Sequence, residues 1–162
     1  MGLAAKSGWQ AAAEEQTGGG ESMRICVIDG QGGGIGSTVI RKLREVFDES
    51  IEIIALGTNA IATAQMLKAR ANRGASGENA IVRTVSQADL VVAPVGIVMA
   101  HAMMGEVTPK IAEAVAACPA KKFLLPVTQE NVEIVGLPPA PLPPLIETLI
   151  EEHLKELVSE DV

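Results

Sequence analysis

A short β-branched run, Ile25 to Ile28, stops at one acid, Asp29, and gives way to a loop with five glycines in seven positions, Gly30 to Gly36. Beyond it the hydrophobic period changes: Val39, Ile40, Leu43 and Val46 recur as one side of an amphipathic helix beginning near Ile35. Strand, glycine turn and helix in that order point to an α/β chain. This is how such chains aim backbone N–H groups and a helix N-terminus at a phosphate.

The pattern continues downstream. Residues 51–56 read as a second strand, followed by a helix over 59–71 with Ala60, Ile61, Ala64, Leu67 and Lys68 on its sheet side. Residues 72–79 read as a loop, 80–85 as a third strand, 90–93 as a fourth and 121–127 as a fifth. Residues 132–135 read as a short antiparallel sixth. Thr108 and Pro109 open a helix, as N-cap and first helical residue. The expected fold is a three-layer, Rossmann-like α/β architecture with a mostly parallel sheet of five to six strands and a C-terminal helix. Residues 1–22 read as a disordered extension, 23–136 as the Rossmann-like domain, and 137–162 as a proline-rich linker with an amphipathic helix. In that helix Leu142, Leu145, Ile146, Leu149, Ile150, Leu154 and Leu157 share a face. Five prolines in eight residues precede and enter it, so its apolar face is expected to meet a second subunit, making the chain a homo-oligomer.

Glycine spacing narrows the ligand. The dinucleotide pattern G-x-G-x-x-G fails in each register, because Ile35 stands in the third position or Gln31 in the first. A Walker A loop fails because Ser37, not lysine, follows Gly36. G-x-x-x-G-x-G fits as Gly30, Gly34 and Gly36, and it resembles the cofactor loop of short-chain dehydrogenases. The resemblance implies a nucleotide or dinucleotide, NAD or NADP among them, held by Gly30, Gln31, Gly32, Gly33, Gly34, Ile35, Gly36 and Ser37. The alternative is a glycine turn that only lets helix and sheet pack closely.

Two features exclude an ordinary member of that class. The chain has no tyrosine, so the tyrosine–lysine proton-transfer pair cannot exist. The second strand ends in Gly57-Thr58-Asn59, where NAD-type folds place Asp or Glu, about 20 residues past the loop, to hold the ribose. Thr58 or Asn59 hydrogen-bonds a ribose or caps the next helix. Asp29, directly before the glycines, has several readings: acid or base, ribose orientation, water-mediated Mg²⁺, or a bond to loop N–H groups. Pro94 and Gly96 mark the carboxyl end of the fourth strand, the edge where open α/β sheets bind ligands. Glu106 and His101 follow as candidate acid–base residues, His101 otherwise being a partly buried histidine. Arg73, Glu78 and Asn79 are candidates to position a ligand.

Composition excludes other classes. Trp9, Phe47 and Phe123 are the only aromatics, so stacking platforms for single-stranded nucleic acid are missing. The net charge of −7 comes from the ends: residues 1–22 carry −2, residues 142–162 carry −5, and the middle is neutral. A nucleic-acid footprint is not expected, nor a membrane span. Cys26, Cys118, His101 and His153 form no metal-spaced motif. Cys26 lies in an apolar strand as a small hydrophobe. A cytoplasmic location is expected.

Four motifs in order resemble one family: Val-Ile-Asp-Gly-Gln-Gly-Gly-Gly-Ile-Gly (27–36), Ala-Leu-Gly-Thr-Asn-Ala-Ile-Ala-Thr (55–63), Ala-Asn-Arg-Gly-Ala-Ser-Gly-Glu-Asn-Ala (71–80) and Gly-Glu-Val-Thr-Pro-Lys (105–110). This is the small bacterial family known as domain of unknown function 3842, and the resemblance spans about residues 23–136. It implies a Rossmann-like nucleotide-binding fold with no assigned reaction. It also implies a cysteine after the fifth strand, where this chain has Thr128-Gln129-Glu130. Three functions stay open: a nucleotide-binding or sensor protein; an enzyme on a phosphorylated or nucleotide-like substrate, using Asp29, Glu78, Glu106 or His101; and an interaction subunit using the C-terminal helix.

Overall fold

Alternation along the first strand decides the layering. In β1 (Met23–Asp29), Ile25 and Val27 point to one side and Cys26 and Ile28 to the other, and all four are buried. A strand apolar on both faces needs helices above and below, which is the α/β solution. The computed structural model, which describes residues 22–127 and 131–160, shows that arrangement. Five strands, β1, β2 (Ile51–Gly57), β3 (Arg73–Ser76), β4 (Leu90–Pro94) and β5 (Lys121–Leu125), pair in parallel in the order β3-β2-β1-β4-β5. The strand order reverses between β1 and β4, so the carboxyl ends of those two strands border the ligand crevice of such sheets. The expected disordered extension, apart from its last residue, and the 128–130 loop lie outside the described residues.

Helices α1 (Gly34–Phe47) and α2 (Ala60–Lys68) cover one face of the sheet, and α3 (Glu78–Val85) and α4 (Pro109–Ala117) the other. Thr108 caps α4 through its hydroxyl, with Pro109 at the first helical position as expected. The last helix, α5, runs over residues 142–160, with a π-helical stretch at Leu149–Leu154 between α-helical Leu142–Thr148 and Lys155–Glu160.

Four expectations need correction. Residues 80–85 are helix, not strand: Ile81 and Val85, four apart, are the buried pair, and so short an apolar run does not separate the two periods. The third strand is instead Arg73–Ser76, inside the expected loop. It is an edge strand without an apolar run, so periodicity could not reveal it. Residues 132–135 form no sheet strand; Val132 makes an isolated bridge only. The C-terminal helix does not keep its apolar face for a partner. Ile146, Leu149, Ile150, Leu154 and Val158 are buried in the cluster formed by α1, α2 and the sheet. The proline-rich segment carries the chain back to the domain instead of separating the helix from it.

Two helix faces are also rotated from expectation. In α2 the buried residues are Ala62, Thr63 and Met66, while Ile61 and Leu67 are exposed. In α1, Val46 is exposed and Arg44 is buried in its place, at 4% exposure. Its guanidinium donates to the carbonyls of Arg70 (2.8 Å), Asp48 (2.7 Å) and Ile51 (3.1 Å) and to Asn72 Oδ1. A rigid five-donor fork can satisfy that many chain-end acceptors at once, which is why a charge is tolerated there. Burial lowers the Arg44 pKa from its ordinary value.

Candidate functional site

The glycine loop divides into two kinds of residue. A methyl group added at Gly30 would strike Thr58 Oγ1 (2.5 Å) and Met103 Sδ (2.7 Å); at Gly36 it would strike Met66 Sδ (2.5 Å) and Asp29 Cβ (2.9 Å). Gly33, at φ +73°, faces the backbone of Ala62 at 2.8 Å. Gly33 and Gly36 bring α1, α2 and β1 together, and Gly30 packs against Thr58, just after β2, and against the loop before α4. Gly32 and Gly34 are different: both are exposed, and an added Cβ would meet nothing within 4 Å. Residues 30, 33 and 36 are close-packed. Open space lies at 32 and 34.

Asp29 holds the loop from beneath. It is 3% exposed, its Oδ1 accepts Gly30 N–H at 2.8 Å, and its Oδ2 accepts Gly36 N–H at 2.7 Å. Burial raises its pKa, opposed by the bonds from Gly36, Gly30 and Ile35. The loop reading of Asp29 is thus visible in the structure, with both carboxylate oxygens committed to it. The N–H groups of Gly33 and Ser37 are used by Gly30 O and Gly33 O, and the Ser37 and Thr38 hydroxyls turn to Gly34 O. Among the described residues, the N–H groups of Gly32 and Gly34, in the loop and at the first residue of α1, have no acceptor.

A second carboxylate closes one side. Glu106 reaches over from the loop before α4. Its Oε1 accepts from Gln31 N–H (3.0 Å), Thr58 Oγ1 (2.7 Å) and Asn59 Nδ2 (2.6 Å). Asn59 also donates to Gln31 O and caps α2 through Ala62 N–H. The capping role expected of Asn59 is therefore present, together with a bridge to two loops. Burial pushes the Glu106 pKa up, but the three donors outweigh it and hold the carboxyl below its ordinary 4.5.

A depressed folded-state value means that the stabilisation from Glu106 is present above the unfolded value and lost as pH falls through the folded one. Glu106→Gln should therefore melt below the native chain near neutral pH. The gap should close as pH is lowered from about 4.5, since both chains then carry a neutral group. Asp29, shifted upward, has the opposite sign in the acid range; its main cause, burial, is common to both chains, and only the smaller push from the Glu106 charge is lost in the variant. Thermal melts of the pair across pH check this; a gap that stays constant into acid would contradict it.

The other expected site residues are dispersed. Gly57 is buried, and a Cβ there would strike Thr63 and the Asn59 carbonyl. Pro94 and Gly96 are buried at the end of β4, beside β1. Glu78 and Asn79 start α3 on the opposite layer, directly after Gly77, whose N–H binds Gly57 O at 2.8 Å. Arg73 pairs in register with Ile54, three positions before the carboxyl end of β2, so it lies about 10 Å back from that edge. There it is ion-paired with Glu52 and lines a groove of about 310 Å³ with Arg83 and Thr84. His101 is exposed, not partly buried, and its side chain makes no hydrogen bond among the described residues. Burial pushes the Cys26 thiol up to about 12, leaving it unreactive in the native strand. No group of three His, Cys, Asp or Glu that could hold a metal occurs among the described residues, and no helix there is long and apolar enough to cross a membrane.

Comparison with known proteins adds the following. A family model described as "Domain of unknown function (DUF3842)" matches residues 24–158, which takes in the C-terminal helix as well as the four motifs. No curated protein matches. A solved structure described as a universal stress protein in complex with cAMP is similar at 18% identity and a TM-score of 0.39, covering 65% of this chain and 98% of that one.

Proposed function

The chain belongs to the domain of unknown function 3842 family, and we propose that it is a nucleotide- or dinucleotide-binding protein that seats a phosphate on the N–H groups of Gly32 and Gly34. The observation that carries this is the pair of unused donors beside unobstructed space, at the carboxyl edge where the strand order reverses. A loop serving packing alone would need no glycine at those two positions. Asp29 beneath the loop offsets part of the positive end of α1, so a bare phosphate should bind weakly and the nucleoside must supply most of the affinity. With both oxygens of Asp29 taken by loop donors, a binding or sensor role is favoured over turnover.

The test is a thermal-shift panel on the full chain with NAD, NADP, ATP, GTP, coenzyme A and S-adenosylmethionine, each with and without Mg²⁺. A ligand that binds only the folded state at one hundred times its dissociation constant adds about 2.7 kcal/mol. The expected result is a shift for at least one ligand, abolished in Gly34→Val, whose own melting point stays close to the native one because the space at Gly34 is open. A shift that survives Gly34→Val, or no shift with any ligand, would contradict the reading.

A further inference from the structure

The second strand ends without the acid that such folds use to hold a ribose, yet a carboxylate stands at that place. Thr58 and Asn59, the two residues that follow β2, both donate to Glu106 Oε1, as does Gln31 N–H of the glycine loop. Three donors on one oxygen fix the group's position. Among the described residues its other oxygen, Oε2, accepts no hydrogen bond from a protein donor. The chain leading to Glu106 is built at some cost: His101 (φ 69°), Met103 (φ 57°) and Met104 (φ 56°) all lie in the left-handed region, followed by Gly105 at φ 89°. Three non-glycine residues in that region within four positions are costly and persist where the surroundings over-determine them. Gln31, which aims its N–H at Glu106, is left-handed as well, at φ 50°. No Lys or Arg among the described residues bonds to Glu106, Thr58 or Asn59.

Resting on the nucleotide reading, we propose that Glu106 is the ribose acceptor of this site, with Oε2 taking the 2′- and 3′-hydroxyls, and that it makes the site select nucleotides whose ribose diol is free. The ionised carboxylate accepts from hydroxyls and repels a 2′-phosphate. The residue comes from the loop before α4 instead of the end of β2, so the acid is displaced in sequence while its carboxylate sits against the β2 end. Gln31, one residue from Gly32, bonds Glu106 directly. This places the diol acceptor next to the open phosphate donors, as a nucleoside 5′-phosphate requires.

Isothermal titration of the full chain tests this with ADP and GDP, their 2′-deoxy counterparts, adenosine 2′,5′-bisphosphate and inorganic pyrophosphate. The expected result is at least tenfold tighter binding of the better ribonucleotide than of its 2′-deoxy form, with the 2′,5′-bisphosphate weaker than either. In Glu106→Gln, which keeps an oxygen for the three anchoring donors, the ribo/deoxy ratio should collapse and the 2′,5′-bisphosphate should gain. Equal binding of ribo- and deoxynucleotides by the native chain, or an unchanged ratio in the variant, would overturn the role of Glu106 and leave the phosphate seat standing. Pyrophosphate binding as tightly as the nucleotides would do the same. No binding by any of these probes would overturn this inference and count against the nucleotide reading beneath it.

Discussion

Truncation after Ala140 is expected to leave a chain without a cooperative unfolding transition. Residues 141–162 include Ile146, Leu149, Ile150, Leu154 and Val158, all buried against α1, α2 and the sheet. Burying an aliphatic side chain of that size is worth about 1.5–3 kcal/mol, so the five together contribute on the order of 10 kcal/mol. A whole domain is stable by only about 5–15 kcal/mol. Deletion also opens the rest of that cluster, which includes Val39 and Leu125. Thermal melts followed by circular dichroism provide the check: a sharp transition near the native midpoint would contradict the packing described. The same reasoning bears on the interaction-subunit reading. A deletion that unfolds the domain cannot report on a partner surface, so only substitutions on the exposed side of α5, such as Glu151 or Glu152, would address one.

The second large effect is expected at Gly33. Alanine there must hold φ +73°, at a cost of about 1–2 kcal/mol. Its Cβ must also stand 2.8 Å from both Cα and O of Ala62. The colliding atoms are backbone of α2, so relief requires moving one helix off the other, which adds about 1–3 kcal/mol. The sum, about 3 kcal/mol, lowers the melting point by about 10 °C for a domain of this size. Gly34→Ala, one residue on, enters open space and should melt within about 2 °C of the native chain. Equal melting points for the two variants would contradict the division of the loop into packing and open glycines.

The parts of the fold that could be read in sequence are those where local chemistry and tertiary position agree. β1, β2 and β4 are apolar runs because they are buried on both faces, and Asn59 and Thr108 are caps because their side-chain oxygens accept the N–H three residues on. β3 escaped notice because an exposed edge strand of Arg, Gly, Ala and Ser needs no apolar pattern. The face of α2 was misplaced because its register is set by the contact of Ala62 with Gly33, a constraint between elements that no single segment carries. Arg44 was hidden for a similar reason: its acceptors are backbone carbonyls whose positions exist only after folding.

The candidate site divides in the same way. Its residues could be named individually, Asp29, the glycines, Thr58, Asn59 and Glu106 among them. The link between Glu106 and the end of β2 spans 47 and 48 residues of sequence and appears only when the loops meet. The one local hint was the Thr108-Pro109 helix start, which returns the chain to the carboxyl edge just after Glu106. Gly32 and Gly34 could not be told from Gly30, Gly33 and Gly36 by spacing, because what separates them is the neighbour each would strike.

The central claim, a phosphate seat on Gly32 and Gly34, is tested most directly by backbone amide chemical shifts of the isotope-labelled chain during titration with the best ligand of the thermal panel. Saturable changes should be largest at the amides of Gly32 and Gly34, which have no acceptor among the described residues, and smaller at Gly30 and Gly36, which Asp29 already occupies. Changes centred on Arg73 and Arg83 at the sheet edge, with Gly32 and Gly34 unmoved, would contradict the account.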